Sequence, residues 1–347
     1  MSTSPTVRAA IVGDFEGVLG SSPEVRRLKE RGIQVTSHRE QVPPERAADV
    51  LAGYQVIIAV RERMPFPREV LDQLPSLELI AQSGTHANHI DLDTAAKRGV
   101  LVACGRGNPD GTKRASTMAE LAFGMLFDLT RDITRLRNLM AEGDWPSSVG
   151  RTVRGKTFGV LGMGRHGVAF TEVAKVFGME VVAWGPTLTP ERAAESGAEF
   201  RELDDLLAEA DVVSVNLRLT DLSRGLLDER RIGLMKSDAI VINTARGAII
   251  DEEALAAALA DGSLGGACLD VFTTEPLPAD SPLRTLPNVV VTPHVGWVVD
   301  RHLEEFAEDT TLHVEHYLDG ELPLDALLNP TSADVDRKRV GGVGLTA

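Results

Sequence analysis

Three side chains of different chemistry follow three short apolar runs in the second half of the chain: Arg246 after AIVINTA, Glu275 after CLDVF and His294 after NVVVTP. Arginine offers a planar fork for a carboxylate, and histidine exchanges a proton near neutral pH. A glutamate close to the histidine can fix its tautomer and raise its pKa. Together they are the equipment for reducing a 2-oxo acid. Taken singly, each also has a plain structural reading: Arg246 as a cap or surface charge, Glu275 as a loop carboxylate before Pro276, His294 as a turn residue flanked by Pro293 and Gly296.

Such a set needs a scaffold that brings distant segments to one place. Strand-like and helix-period segments alternate along the chain, which predicts parallel βαβ architecture. VRAAIVGD (7–14), QVTSH (34–38), VIIAV (56–60), LELIAQSG (77–84) and VLVACG (100–105) predict one doubly wound parallel sheet of five strands. KTFGVLG, EVVAWG, DVVSVNL, AIVINTA, GGACLDVF and NVVVTPH predict six strands of a second. A Gly-rich basic connector, GRGNPDGTKRAS, separates the series, and Thr117-Met118-Ala119-Glu120 reads as a capping box that opens one long helix to about Leu139. A terminal helix is expected over about 298–318, and the segment 331–347 reads as a disordered polar tail. Carboxyl ends of parallel strands are where open α/β sheets bind ligands, so Arg246, Glu275 and His294 can converge.

The second series also carries Gly162-Met163-Gly164-Arg165-His166-Gly167, a G-x-G-x-x-G between a strand and a helix. In that context the glycines admit a pyrophosphate to the helix N-terminus. The acidic residue that would take the ribose hydroxyls after the next strand is absent: Gly185 stands there, followed by Pro186. Without its repulsion NADP(H) is admissible beside NAD(H).

Composition narrows the partners. With 347 residues, 43% hydrophobic and 25% charged, the chain suits two ordinary soluble domains. A net charge of -15 argues against nucleic-acid and anionic-membrane partners. No apolar run is long enough to span a bilayer, and the N-terminal residues do not resemble a secretion signal, so a cytoplasmic location is expected. Cys104 and Cys268 lie in apolar runs and read as buried hydrophobes. His313 and His316 lack a third ligand, so no metal site is expected.

The motifs GMGRHG, INTARGAIIDEEAL, LDVFTTEPLPADSPL and NVVVTPHVG resemble those of the D-isomer-specific 2-hydroxyacid dehydrogenase family, with phosphoglycerate dehydrogenase-like features, over about residues 50–320. The resemblance implies that Arg246 binds substrate carboxylate and carbonyl oxygen, that His294 is the acid in reduction and the base in oxidation, and that Glu275 pairs with it. It implies cofactor contacts from Gly162 to Gly167, from Trp184, Gly185, Pro186, Leu217, Arg218, Thr244 and Ala245, and from Asp270 and Gly296. It implies a Rossmann nucleotide domain, 110–297, inserted in a flavodoxin-like substrate domain formed by 1–109 and 298–330, with a cleft and a homodimer. Substrate contacts are expected from Arg61 and from the stretch Ser83-Gly84-Thr85-His86 through its backbone N–H groups; Arg63, Lys113 and Arg114 supply further positive charge.

Some positions depart from the family pattern. Gly185 replaces the acid, and Arg218 stands where many relatives have proline. No regulatory domain is expected beyond the terminal helix. A nucleotide-sensing binding protein on the same fold, like the corepressors that resemble these dehydrogenases, stays open as the alternative. Glu275 stands where formate dehydrogenases carry glutamine, which counts against formate oxidation.

Overall fold

The computed structural model describes residues 7–105 and 117–329. The connector with Lys113 and Arg114, and the tail from 331, lie outside the described residues. The chain divides into two compact units, Met1–Thr112 with Val299–Ala347, and Lys113–Val298.

The first unit holds a five-stranded parallel sheet made of β1 (Arg8–Val12), β2 (Gln34–His38), β3 (Val56–Ala59), β4 (Leu79–Gln82) and β5 (Leu101–Cys104), in the order β2-β1-β3-β4-β5. That is the flavodoxin-like order. β3 and β4 are buried at every position, as strands covered on both faces must be. The helix Asp300–Asp319 packs on this sheet through Leu303, Ala307, Val314 and Leu318, spaced along one helical face. Its Tyr317 hydroxyl donates to Glu78, which precedes β4.

The second unit holds seven parallel strands: β6 (Thr157–Leu161), β7 (Glu180–Trp184), β8 (Glu199–Phe200), β9 (Val212–Val215), β10 (Ile240–Asn243), β11 (Gly266–Leu269) and β12 (Val289–Val291), in the order β12-β11-β10-β9-β6-β7-β8. The sequence pattern predicts six; β8 was missed because two residues carry no periodicity. Alternate residues of one strand feed two cores. Val241 joins Val213, Val215 and Leu269 on one face, whereas Ile240 and Ile242 join Phe123, Phe158 and Phe170 on the other. Burying each such side chain is worth about 1.5 to 3 kcal/mol.

The long helix expected to Leu139 is two helices, Thr117–Arg131 and Ile133–Ala141. Asp132 between them is left-handed, with φ 55° and ψ 33°. The Asp128 carboxylate accepts both the N–H and the hydroxyl of Thr134 at 2.7 Å, which ties the start of the second helix to the end of the first. The capping-box reading also fails. Thr117 is already helical, and its hydroxyl donates to the Gly296 carbonyl at 2.7 Å.

Candidate active site

The sheet order of the second unit reverses between β6 and β9, where an open α/β sheet leaves a crevice at its carboxyl edge. The glycine motif occupies that place. Gly162 has φ +100°, and a Cβ there would stand 2.9 Å from Asn216 O and from Leu217 Cδ2, both just past β9. Gly167 packs its helix onto the strand end, since a Cβ there would meet Gly162 O at 2.1 Å. Gly164 is different: nothing lies within 4 Å of where its Cβ would be. It caps the helix Arg165–Val176, whose first N–H groups have no carbonyl one turn back. Two glycines thus close the turn, and the third leaves an open cradle for an anion. The residues fit a dinucleotide.

Gly162 N donates to Trp184 O at 2.7 Å, which sets the end of β7 beside this turn. At Gly185 a Cβ would have Leu188 Cβ at 3.4 Å as its nearest neighbour, so a side chain is sterically admissible and merely absent. Arg218 is exposed, and its guanidinium makes no ion pair or hydrogen bond among the described residues.

Farther along the same sheet edge Arg246, Glu275 and His294 follow consecutive strands β10, β11 and β12. His294 Nδ1 lies 2.7 Å from Glu275 Oε2, and the other glutamate oxygen accepts from Phe272 N at 2.9 Å. Burial pushes the Glu275 carboxyl up, but the bond to His294, the Phe272 N–H and the charges of His294 and Arg246 outweigh it, so its pKa lies below the ordinary value. An ionised carboxylate only accepts, so the proton on this contact belongs to Nδ1 and Nε2 is left for chemistry. Arg246 projects outward after β10, with Nη1 donating to Ala245 O at 2.7 Å.

Buried polar side chains fix these positions. Asp270, 1% exposed, accepts the Thr292 hydroxyl at 2.6 Å and the Val295 and Gly296 N–H groups at 2.8 and 2.9 Å. These bonds hold the turn in which His294 has φ 55°. Asn243 accepts from Ala245 N and donates to Arg246 O, both at 3.0 Å. Gly247 then lies directly on the Glu275 loop, for a Cβ there would fall 2.0 Å from the Phe272 carbonyl carbon. Asn243 and Thr292 were not singled out in the sequence. Their signal is a polar residue ending or immediately following an apolar strand.

In the first unit Arg61 is also left-handed, at φ 53°. Its N–H donates to Ser83 Oγ at 2.8 Å, and its carbonyl accepts from the buried Gln82 amide at 3.1 Å. Its Nη1 would lie 2.1 Å from a Cβ on Gly84, whose φ of +86° is one that side chains rarely adopt. Thr85 beside them is exposed. Glu62, not foreseen as a site residue, joins this group and links Arg61 to His86: Glu62 Oε1 is 3.3 Å from Arg61 Nη2 and 2.8 Å from His86 Nε2. Arg63 instead serves the β1 turn, donating to Gly13 O and pairing in two-point fashion with Glu16.

Among the described residues no cluster of three or more His, Cys, Asp or Glu could hold a metal, and no helix is long and apolar enough to cross a membrane.

Known proteins resemble this chain in sequence and in fold. Residues 123–296 match the family model described as D-isomer specific 2-hydroxyacid dehydrogenase, NAD binding domain. A D-3-phosphoglycerate dehydrogenase of Mycobacterium tuberculosis is 39% identical over 272 residues, 78% of this chain and 50% of that protein. The chain therefore spans about half the length of that relative. A glyoxylate reductase of Thermococcus litoralis is 36% identical over 265 residues, covering 74% of this chain and 78% of that one. In structure, a putative D-3-phosphoglycerate dehydrogenase from Ralstonia solanacearum superposes with a TM-score of 0.85 at 28% identity, over 94% of this chain and 97% of the other.

Proposed function

Because the chain belongs to the D-isomer specific 2-hydroxyacid dehydrogenase family, we propose that it is an oxidoreductase interconverting 2-oxo acids and D-2-hydroxy acids with NAD(H) or NADP(H). The observation that carries this reading is the 2.7 Å contact between His294 Nδ1 and Glu275, beside the charge of Arg246. In reduction Arg246 holds the substrate carboxylate and carbonyl oxygen, and His294 gives its Nε2 proton to that oxygen. In oxidation the same nitrogen takes the proton back. A bound nicotinamide supplies the hydride that reduces the carbonyl carbon. Glu275 keeps Nδ1 protonated and the ring in place throughout.

Gly162 to Gly167 would hold the pyrophosphate on backbone N–H groups, with Trp184, Gly185, Pro186, Leu217 and Arg218 toward the adenosine. Thr244, Ala245, Asp270 and Gly296 are assigned to the nicotinamide end, Asp270 acting by shaping the turn. The second unit is accordingly the nucleotide domain and the first the substrate domain, to which Arg61, Ser83, Gly84 and Thr85 contribute substrate contacts. With no carboxylate at 185 and Arg218 exposed, both dinucleotides are accepted.

A homodimer accounts for the apolar side chains the second unit leaves exposed in one stretch, Ile133, Met140, Trp145 and Val149. Free, buried Cys104 and Cys268 suit a reducing cytoplasm.

The test is steady oxidation of NADH and NADPH with hydroxypyruvate, glyoxylate, phenylpyruvate and phosphorylated 2-oxo acids. Turnover with at least one acid is expected. Tight dinucleotide binding without turnover of any acid would replace the enzyme by a nucleotide-sensing binding protein.

A further inference from the structure

The Arg61 turn is more elaborately built than a carboxylate contact requires. Arg61 is pinned at both ends of its backbone, by Ser83 Oγ and by Gln82 Nε2, in a left-handed conformation that a non-glycine residue adopts only under constraint. Gln82 is wholly buried, and the same amide nitrogen also donates to Ser83 O at 2.9 Å. The guanidinium is thereby laid over Gly84, at the Ser83–Gly84–Thr85 turn. Its charge is not left free: one oxygen of Glu62 lies 3.3 Å from Arg61 Nη2 and 2.8 Å from His86 Nε2.

We propose that Glu62, fixed between Arg61 and His86, makes this turn select 2-oxo acids whose side chains carry no negative charge, and reject phosphorylated ones. The proposal rests on the reading above that the turn binds substrate. Burial pushes the Glu62 carboxyl up, but Arg61, His86, a backbone N–H and His89 pull it further down, so the carboxylate is charged at neutral pH. His89 stands half-buried near them, and that burial outweighs the pull of Glu62 and holds its ring below the ordinary histidine value. A substrate phosphate carries about -1.5 to -2 charges and three acceptor oxygens. To use Arg61 it must displace Glu62 from the guanidinium, or sit beside it and suffer the repulsion of like charge. An uncharged side chain incurs neither cost. Selectivity here comes from a repulsive element placed beside an attractive one. The two kinds of relative reported above bear names on either side of this distinction, and the local charge sides with the unphosphorylated acid.

The experiment compares kcat/KM for hydroxypyruvate and 3-phosphohydroxypyruvate in the wild type and in Glu62→Gln, with circular dichroism melts to establish that both fold. The wild type should prefer hydroxypyruvate by roughly tenfold or more, and Glu62→Gln should shrink that ratio by about tenfold. Calorimetric titration of D-glycerate against D-3-phosphoglycerate, each in the presence of oxidised cofactor, reads the same preference without turnover. A wild type that favours the phosphorylated acid, or a folded Glu62→Gln with an unchanged ratio, overturns the proposal. If neither acid is turned over, the dehydrogenase reading falls while the calorimetric ratio still decides the selectivity; equal binding of the two ligands, or none, then overturns it as well.

Discussion

The turn that carries His294 and the turn that carries Arg61 solve the same problem in different ways. Each follows a parallel strand, and each puts a functional non-glycine residue in the left-handed region, at φ 55° and 53°. The His294 turn is held by a carboxylate, Asp270, that accepts three donors from it. The Arg61 turn is held by an amide and a hydroxyl, Gln82 and Ser83, with one bond from each to the backbone of Arg61. Their outer partners differ as well. Glu275 takes the one ring nitrogen that leaves the other free, whereas Glu62 occupies the functional charge itself. On the proposed reading, the first arrangement keeps a group available for reaction, and the second keeps a group from being used indiscriminately.

The sharpest break in this comparison comes from removing the two residues in turn. His294→Ala should lose roughly 10²- to 10⁴-fold in kcat while dinucleotide affinity is kept, whereas Arg61→Ala should act mainly on KM. A His294→Ala enzyme with normal turnover would remove the proton-transfer assignment. Arg246→Lys, which keeps the charge but not the planar fork, should lower kcat/KM for 2-oxo acids by roughly 10²-fold; a tolerated lysine would mean that diffuse positive charge suffices. Asp270→Ala should cost about 2 to 4 kcal/mol of stability, since the Val295 and Gly296 N–H groups lose their acceptor, and Gln82→Ala about 1 to 3, as read from denaturant melts. Equal losses would erase the distinction between the two supports.

Cofactor choice gives a smaller effect. There is room for a side chain at Gly185, so Gly185→Asp should shift preference from NADPH toward NADH by about one to two decades in binding. A wild type that already favours NADH by several decades would show that Arg218 points elsewhere.

The smallest effect is on acid stability. The folded-state pKa of Glu275 is lower than the ordinary 4.5 of the unfolded chain, so its ionisation stabilises the fold fully above that value. As pH falls through the folded value the contribution disappears. The wild type should therefore melt higher than Glu275→Gln above pH 4.5 and converge on it in stronger acid; a constant gap would point to packing alone.

Much of this was legible in the sequence because strands buried on both faces must be continuous apolar runs, and only β8, two residues long, left no pattern. The candidate residues Arg246, Glu275 and His294 were legible because they stand alone beyond those runs. Their supports were less so. Gln82 and Asn243 each end an apolar strand, and Asp270 follows one. In a one-dimensional reading such a residue looks like the start of a loop, although each is buried and spends its hydrogen bonds on a turn. The pairing of Glu62 with His86 was invisible for another reason: they lie 24 residues apart, and only the parallel pairing of β3 with β4 brings them together. Asp132 broke the expected helix through side-chain bonds that compete with a sound apolar period.

Gly247 bears on how this chain can diverge. Its backbone rests against Phe272 so closely that even a methyl group would force the two loops apart. One of those loops carries Arg246, the other Glu275. A single codon change there would disturb the loop of Arg246 and the loop of Glu275 together. On the proposed reading, alanine at 247 is therefore not a neutral change, because it reaches both arms of the chemistry at once.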